Sequence, residues 1–301
     1  MKKLIFVLIL CISQMMNIFA QIVSSGKVSV LINNKGKPEV KQNLPVVSEP
    51  NTSTTQTSAG TEVPVAGGKY YALIIGINNY SDPLINELDY CIRYATSFYN
   101  TLIARYTFEK DNITFLKNAT KSDIVSALDH FSKVVQPADN FLIFYAGHGY
   151  WDESSEVGFW IPYDARKESN LAWFSNNTLL DYLSAIHSKH TLLITDACFG
   201  GSYFKSDDAF MNTPMAVNKL YERPSRKAMT SGTLTEVPDQ QITFLKYMIE
   251  RLDKNSEKYL SSGQLFSSFR GAMINNSNIK PQFGEIKDIG DEGGDFIFIL
   301  R

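Results

Sequence analysis

From residue 69 onward, unbroken apolar runs take turns with segments whose apolar positions recur every three to four residues. Tyr71 to Ile77 is a continuous β-rich run of the kind found in strands buried on both faces. Leu88, Cys91, Ile92, Ala95, Phe98, Tyr99, Leu102 and Ile103 follow at helical spacing and predict an amphipathic helix. Ile113 to Leu116 is the second predicted strand. Thr120 with Asp123 three residues on is a capping-box signature, and Ile124, Val125, Leu128, Phe131 and Val135 mark the helix it opens. Phe141 to Tyr145 is the third strand. A second capping signal, Thr178 with Asp181, predicts the start of a helix bearing Leu179, Leu180, Leu183 and Ile186, which leads to a strand at Leu192 to Ile194.

Beyond Ser202 the chain is polar and charged to about Arg226, which reads as a surface loop or processing linker. Lys227 to Ser231 is a further short strand. Helices are expected around Ile242, Leu245, Met248, Ile249 and Leu252, and around Leu265, Phe266, Phe269 and Met273, before a closing strand from Asp295 to Leu300. Strands alternating with amphipathic helices imply right-handed crossovers and a mostly parallel sheet covered on both faces, an α/β architecture. In such sheets ligands bind beyond the carboxyl ends of the strands.

The first 68 residues differ. Met1 to Ala20 has two lysines, an apolar stretch and Ala20 before Gln21, the layout of a secretory signal peptide, and its apolar part is short for a membrane span. Residues 21–68 carry little periodic signal, and Asn51 to Gly60 is nearly all small and polar; they read as a flexible linker or pro-segment. Residues 69–301 form the globular domain. The expected location is therefore periplasmic or secreted, with no stable membrane span in the mature chain. Lipid attachment at Cys11 is the lesser alternative, because the bulky Leu10 precedes it.

Composition adds limits. Of 301 residues 44% are hydrophobic, enough for a large core, and the formal net charge of −2 offers no basic surface for nucleic acid. Export would leave Cys91 and Cys198 as the cysteines, and Cys91 falls in an apolar helical stripe where a lone Cys behaves as a small core hydrophobe. No Cys/His pair has zinc spacing, so no metal or cofactor is expected. His130, His187 and His190 have no chemical context and are expected at the surface or at caps.

Two segments remain, Tyr145-Ala-Gly-His-Gly149 and Asp196-Ala-Cys-Phe-Gly-Gly-Ser202, each closing an apolar strand with a residue able to do covalent chemistry. Their His and Cys are 50 residues apart, in agreement with the spacing of caspase signatures. With Tyr71-Ala-Leu-Ile-Ile-Gly-Ile-Asn78 and Gly293-Gly-Asp-Phe-Ile-Phe298, the segments make residues 69–301 resemble a caspase-fold peptidase domain, nearer the bacterial caspase-like and metacaspase branch than animal caspases. The resemblance implies a caspase-like α/β/α sandwich and a cysteine endopeptidase acting on peptides or proteins. Cys198 would be the nucleophile, His148 the acid/base, and the N–H groups of Gly149 and Cys198 the oxyanion hole.

By the same resemblance, Asp196 stands where animal caspases carry Gln, which favours Arg or Lys at the cleaved position. Thr230 to Glu236, Ser231 among them, would line the substrate groove. One departure is visible: the family's Asn-Asp-Ala falls on Arg93-Tyr94-Ala95, so Tyr94 replaces a second pocket acid, and Asp89 or Glu87 would compensate from one turn earlier. Basic specificity would make Lys205, Lys219, Arg223 and Arg226 self-processing sites. Some metacaspases need calcium, on which the residues are silent. The rival reading is a non-proteolytic binding or adaptor homologue; a third is transpeptidation through the same acyl-enzyme.

Overall fold

The computed structural model describes residues 68–197, 217–232, 243–277 and 280–301. The expected signal peptide, all but the last residue of the linker, Cys198 and Lys205 lie outside the described residues. Strands β1 (Tyr70–Gly76), β2 (Ile113–Lys117), β3 (Asn140–Ala146), β7 (His190–Asp196), β8 (Ser225–Thr230) and β10 (Gln282–Glu285) form one sheet in the order β10-β8-β7-β3-β1-β2. All pairs are parallel except β10 with β8.

Every residue of β1 and β3 is buried, which is why both read as unbroken apolar runs. Side-chain alternation divides them between two cores. Ala72, Ile74, Leu142, Phe144, Leu192 and Ile194 face α1 (Cys91–Arg105), α5 (Thr243–Lys254) and α6 (Ser262–Asn276), with Phe98 stacked on Phe144 at 4.7 Å. Leu73, Ile75, Phe141, Ile143, Tyr145 and Leu193 face α2 (Lys121–Val134) and α3 (Asn176–Ala185). The result is an α/β/α sandwich. Gly76 is required where β1 meets α1: a Cβ there would lie 2.9 Å from Ile92 Cα.

The Thr120–Asp123 capping box forms as expected. The Thr178 cap does not. Helix α3 begins one turn earlier, capped by Ser175, whose Oγ accepts from the Thr178 N–H (3.1 Å) and so makes Thr178 part of the first turn. The presumed linker up to Arg226 is also corrected in part: Val217–Glu222 is the short helix α4, which holds Lys219, and Arg226 belongs to β8. There its guanidinium donates to the carbonyls of Lys189 (3.1 Å) and Ser188 (2.8 Å), contacts that a polar sequence run does not announce.

The closing strand is the shorter β11 (Ile297–Ile299), and it joins β9 (Tyr259–Ser261) in a separate antiparallel pair instead of the central sheet. Asp295 lies before it, buried, accepting from the Ser262 hydroxyl and from the N–H groups of Gly263 and Phe296. A third sheet, antiparallel, follows His148: β4 (Gly149–Asp152), β5 (Val157–Trp160) and β6 (Phe174–Ser175). Among the described residues no helix is long and apolar enough to cross a membrane.

Candidate active site

The register of the two central strands brings the candidate chemistry together. Ala146 at the end of β3 pairs with Asp196 at the end of β7, and His148 and Cys198 each lie two residues further along. Adjacent parallel strands are about 4.8 Å apart, so the chain leaves both strands at neighbouring points on the sheet's carboxyl edge. Cys198 itself is outside the described residues.

His148 is held at its backbone and its ring. Its N–H donates to the Tyr80 hydroxyl (3.0 Å), and its carbonyl accepts from the Tyr145 hydroxyl (2.6 Å) and the Ile161 N–H (3.1 Å). Tyr145 stacks on Trp160 at 4.3 Å with rings 5° from parallel, so the hydroxyl is carried on a rigid support. Gly147 is needed for this contact, because a Cβ there would lie 2.7 Å from the Tyr145 hydroxyl oxygen. The His148 ring packs on Tyr80 at 5.1 Å, and its Nε2 faces the Asn86 carbonyl oxygen at 2.8 Å. A carbonyl can only accept, so Nε2 carries the proton and the neutral ring leaves Nδ1 as its basic nitrogen.

Asn86 lies in a loop anchored by side-chain amides. Asn78 Oδ1 accepts from Ile92 N–H (2.8 Å) at the start of α1, and Asn118 Oδ1 accepts from the N–H groups of Asn78 (2.9 Å) and Asn79 (3.1 Å). Asn118 adopts φ 49°, a conformation that Asn tolerates better than most residues. Neither this loop nor the Asn86 contact was expected from sequence; a backbone carbonyl leaves no side-chain signal.

Gly149 opens β4. Because Ile161 N–H bonds the His148 carbonyl, the adjoining Gly149–Trp160 pair is of the non-hydrogen-bonded kind, and the Gly149 N–H turns away from β5. That donor is left by the ladder to face the strand's open side.

Asp196 continues the Leu192 and Ile194 row, on the α1 side of the sheet. Burial pushes its carboxyl up to about 6, opposed by a hydrogen bond from Ser231, a buried residue just past β8. The structure thus joins Asp196 and Ser231. Asp89 and Glu87 are exposed in the loop before α1. Tyr94 is half-buried against the α1-side core, and the Arg93 guanidinium lies 4.5 Å from the Tyr90 ring centroid and 5.3 Å from that of Tyr94.

His130 and His187 are exposed, but His190 is not at the surface. It is fully buried at the start of β7, with Nε2 against the Tyr221 carbonyl and Nδ1 against the Ser225 hydroxyl, both at 3.0 Å. Burial lowers it to about 3, so it is a neutral structural histidine at the far end of the sheet. Cys91 is buried, as its place in the apolar stripe implied. Among the described residues no three His, Cys, Asp or Glu side chains gather to hold a metal ion.

A family model for the caspase domain matches residues 69–282. Metacaspase-1 of Saccharomyces cerevisiae is 33% identical over 107 residues, covering 32% of this chain and 24% of that protein. Metacaspase-1B of Aspergillus fumigatus is 33% identical over 90 residues, 27% of this chain and 22% of that protein. The chain matches only about a quarter of the length of these curated relatives. Caspase-1 from Spodoptera frugiperda, a solved structure, aligns with 73% of this chain and 87% of its own at 11% identity and a TM-score of 0.49.

Proposed function

This chain belongs to the caspase-domain family of cysteine-type endopeptidases, and from that premise we propose that it cleaves peptide bonds after Arg or Lys through a His148–Cys198 dyad. The observation that carries the proposal is the Ala146–Asp196 register, from which both residues are two positions removed.

In the first half-reaction the Cys198 thiolate attacks the scissile carbonyl carbon, and the oxygen takes up negative charge facing the N–H groups of Gly149 and Cys198. His148, protonated at Nδ1 by the thiol's proton, gives that proton to the leaving nitrogen as the C–N bond breaks, which leaves a thioester and a free amine. Water then adds to the thioester carbon with His148 as base, and the acid and the thiol are released. Substrate and water balance both steps without a metal or cofactor. The Nε2 contact with the Asn86 carbonyl supports this role, since it holds Nδ1 as the working nitrogen and stabilises the imidazolium.

The Asp196 carboxyl, bonded by Ser231, supports a basic residue at the cleaved position. Substrates are peptides or proteins. The layout of Met1–Ala20 supports export to the periplasm or beyond, with residues 69–301 as the peptidase domain.

The test is a fluorogenic panel with Arg, Lys or Asp at the cleaved position, under reducing conditions and with calcium added or withheld. Arg and Lys substrates are expected to turn over in wild type and not in Cys198→Ala. Turnover that survives the substitution removes the nucleophile assignment, preference for Asp removes the role of Asp196, and no turnover by either protein favours a binding module.

A further inference from the structure

We propose that the free edge of β4 and the aromatic face beside it bind the part of the substrate that leaves as the amine, with selectivity for a bulky apolar or aromatic residue at the second position after the cleaved bond. The inference rests on the dyad reading above and extends it to the other side of the scissile bond.

Strand order gives the direction. Asp196 and Ser231, which would receive the basic side chain, stand at the ends of β7 and β8, while His148, which would protonate the leaving nitrogen, follows β3. In the order β8-β7-β3 a substrate therefore crosses from its acyl side to its amine side and reaches the start of β4 as it passes His148.

Backbone groups are ready to receive it there. Among the described residues β4 has a strand on one side only, β5. By the alternation of an antiparallel ladder, Trp151–Gly158 is, like Gly149–Trp160, a non-hydrogen-bonded pair. Gly149 and Trp151 accordingly present N–H and C=O to the open side. A peptide whose scissile oxygen takes the Gly149 N–H reaches Trp151 two residues later, about 6.6 Å along an extended chain. In this parallel pairing its first leaving-side residue falls opposite Gly149 and its second opposite Tyr150.

The outward face at that point is apolar. Tyr150 is 47% exposed and lies against Trp173, with ring centroids 4.8 Å apart, and Trp173 in turn meets Phe159 at 5.6 Å. Phe159 is the register partner of Tyr150. The opposite face of the same small sheet is spent on the core through Trp160 and Phe174. An added strand would set its side chain about 5 Å from Tyr150, within reach of an aromatic pair. Such pairs are worth up to about tenfold in affinity.

Two measurements on the full chain decide the matter. The first titrates Cys198→Ala protein with free-amine hexapeptides carrying Phe or Asp as their second residue and follows tryptophan fluorescence, which Trp151 and Trp173 report. The Phe peptide should bind saturably, about tenfold tighter than the Asp peptide, and Tyr150→Ala should erase the difference while Tyr150→Phe keeps it. Equal binding of the two peptides, no saturable binding, or a preference that survives Tyr150→Ala overturns the proposal. The second compares wild-type cleavage of quenched peptides with Phe or Asp two residues after the scissile Arg, where about tenfold in kcat/KM is expected and equal rates overturn it. Binding selectivity without any cleavage would instead overturn the proteolytic reading and leave the docking edge standing.

Discussion

The role given to Asp196 makes a prediction with a defined pH midpoint. Its carboxyl is pushed up to about 6 in the unliganded site because burial penalises the charge more than the Ser231 hydrogen bond relieves it. An arginine side chain pairs with the ionised form only, so below pH 6 the site must first lose a proton. At pH 5 about one site in eleven is ionised, and kcat/KM for an Arg substrate should fall about tenfold from this cause alone. Other ionisations at the site act on both substrates alike, so the useful quantity is a ratio. kcat/KM for an Arg peptide divided by that for the same peptide with citrulline, its uncharged near-isostere, cancels them and isolates Asp196. The ratio should fall with a midpoint near pH 6, and Asp196→Asn should lower it at pH 7.5 by about a hundredfold and remove the pH dependence, given roughly 3 kcal/mol for a charged hydrogen-bonded pair. A ratio that is flat from pH 5 to 8, or unaltered by Asp196→Asn, refutes the assignment. Stability should move the opposite way. A carboxyl whose folded value is raised above its ordinary 3.8 destabilises the fold as pH rises through 6, so Asp196→Asn is expected to stabilise the unliganded protein at pH 7 by up to about 3 kcal/mol.

Two further outcomes follow from named contacts. Tyr145→Phe removes the hydroxyl that donates to the His148 carbonyl and should lower kcat about three- to tenfold with little change in KM, since it loosens the histidine without touching substrate; an unchanged kcat counts against the clamp. His190, held near 3 by burial, protonates more readily in the unfolded chain, so this residue should cost about 1.4 kcal/mol of stability per pH unit as pH falls from 6.5 towards 3, or about 2 kcal/mol at pH 5. Urea unfolding at pH 7 and pH 5 should show that loss reduced in His190→Gln, and an equal loss in both proteins would refute it.

The central strands were legible because burial on both faces leaves an unbroken apolar run, and Thr120 with Asp123 declared a helix start through side chains alone. Elsewhere the deciding contacts lie outside any local window. Thr178 and Asp181 carry the same spacing as a true cap, but Ser175 three residues earlier already accepts the Thr178 N–H. His190 looks solvent-bound beside His187 and Lys189; its partners Tyr221 and Ser225 are 31 and 35 residues away. β4 to β6 are two to four residues long, too short for alternation to stand out. β11 pairs with β9 outside the central sheet, through partners such as Ile299 and Tyr259 that no local strand pattern connects. At the site, His148 and Asp196 were readable as residue types at strand ends, whereas Asn86 acts through its backbone and Tyr145 through a hydroxyl on an otherwise apolar strand.

The central claim is that Cys198 forms the acyl bond with His148 as its proton carrier. Its most direct measurement is mass spectrometry of the intact protein and its digest after reaction with an arginyl peptide bearing a thiol-reactive ketone. One adduct per chain is expected, carried by Cys198, absent from Cys198→Ala and formed far more slowly in His148→Ala. An adduct on Cys91, or equal labelling of wild type and Cys198→Ala, would contradict it.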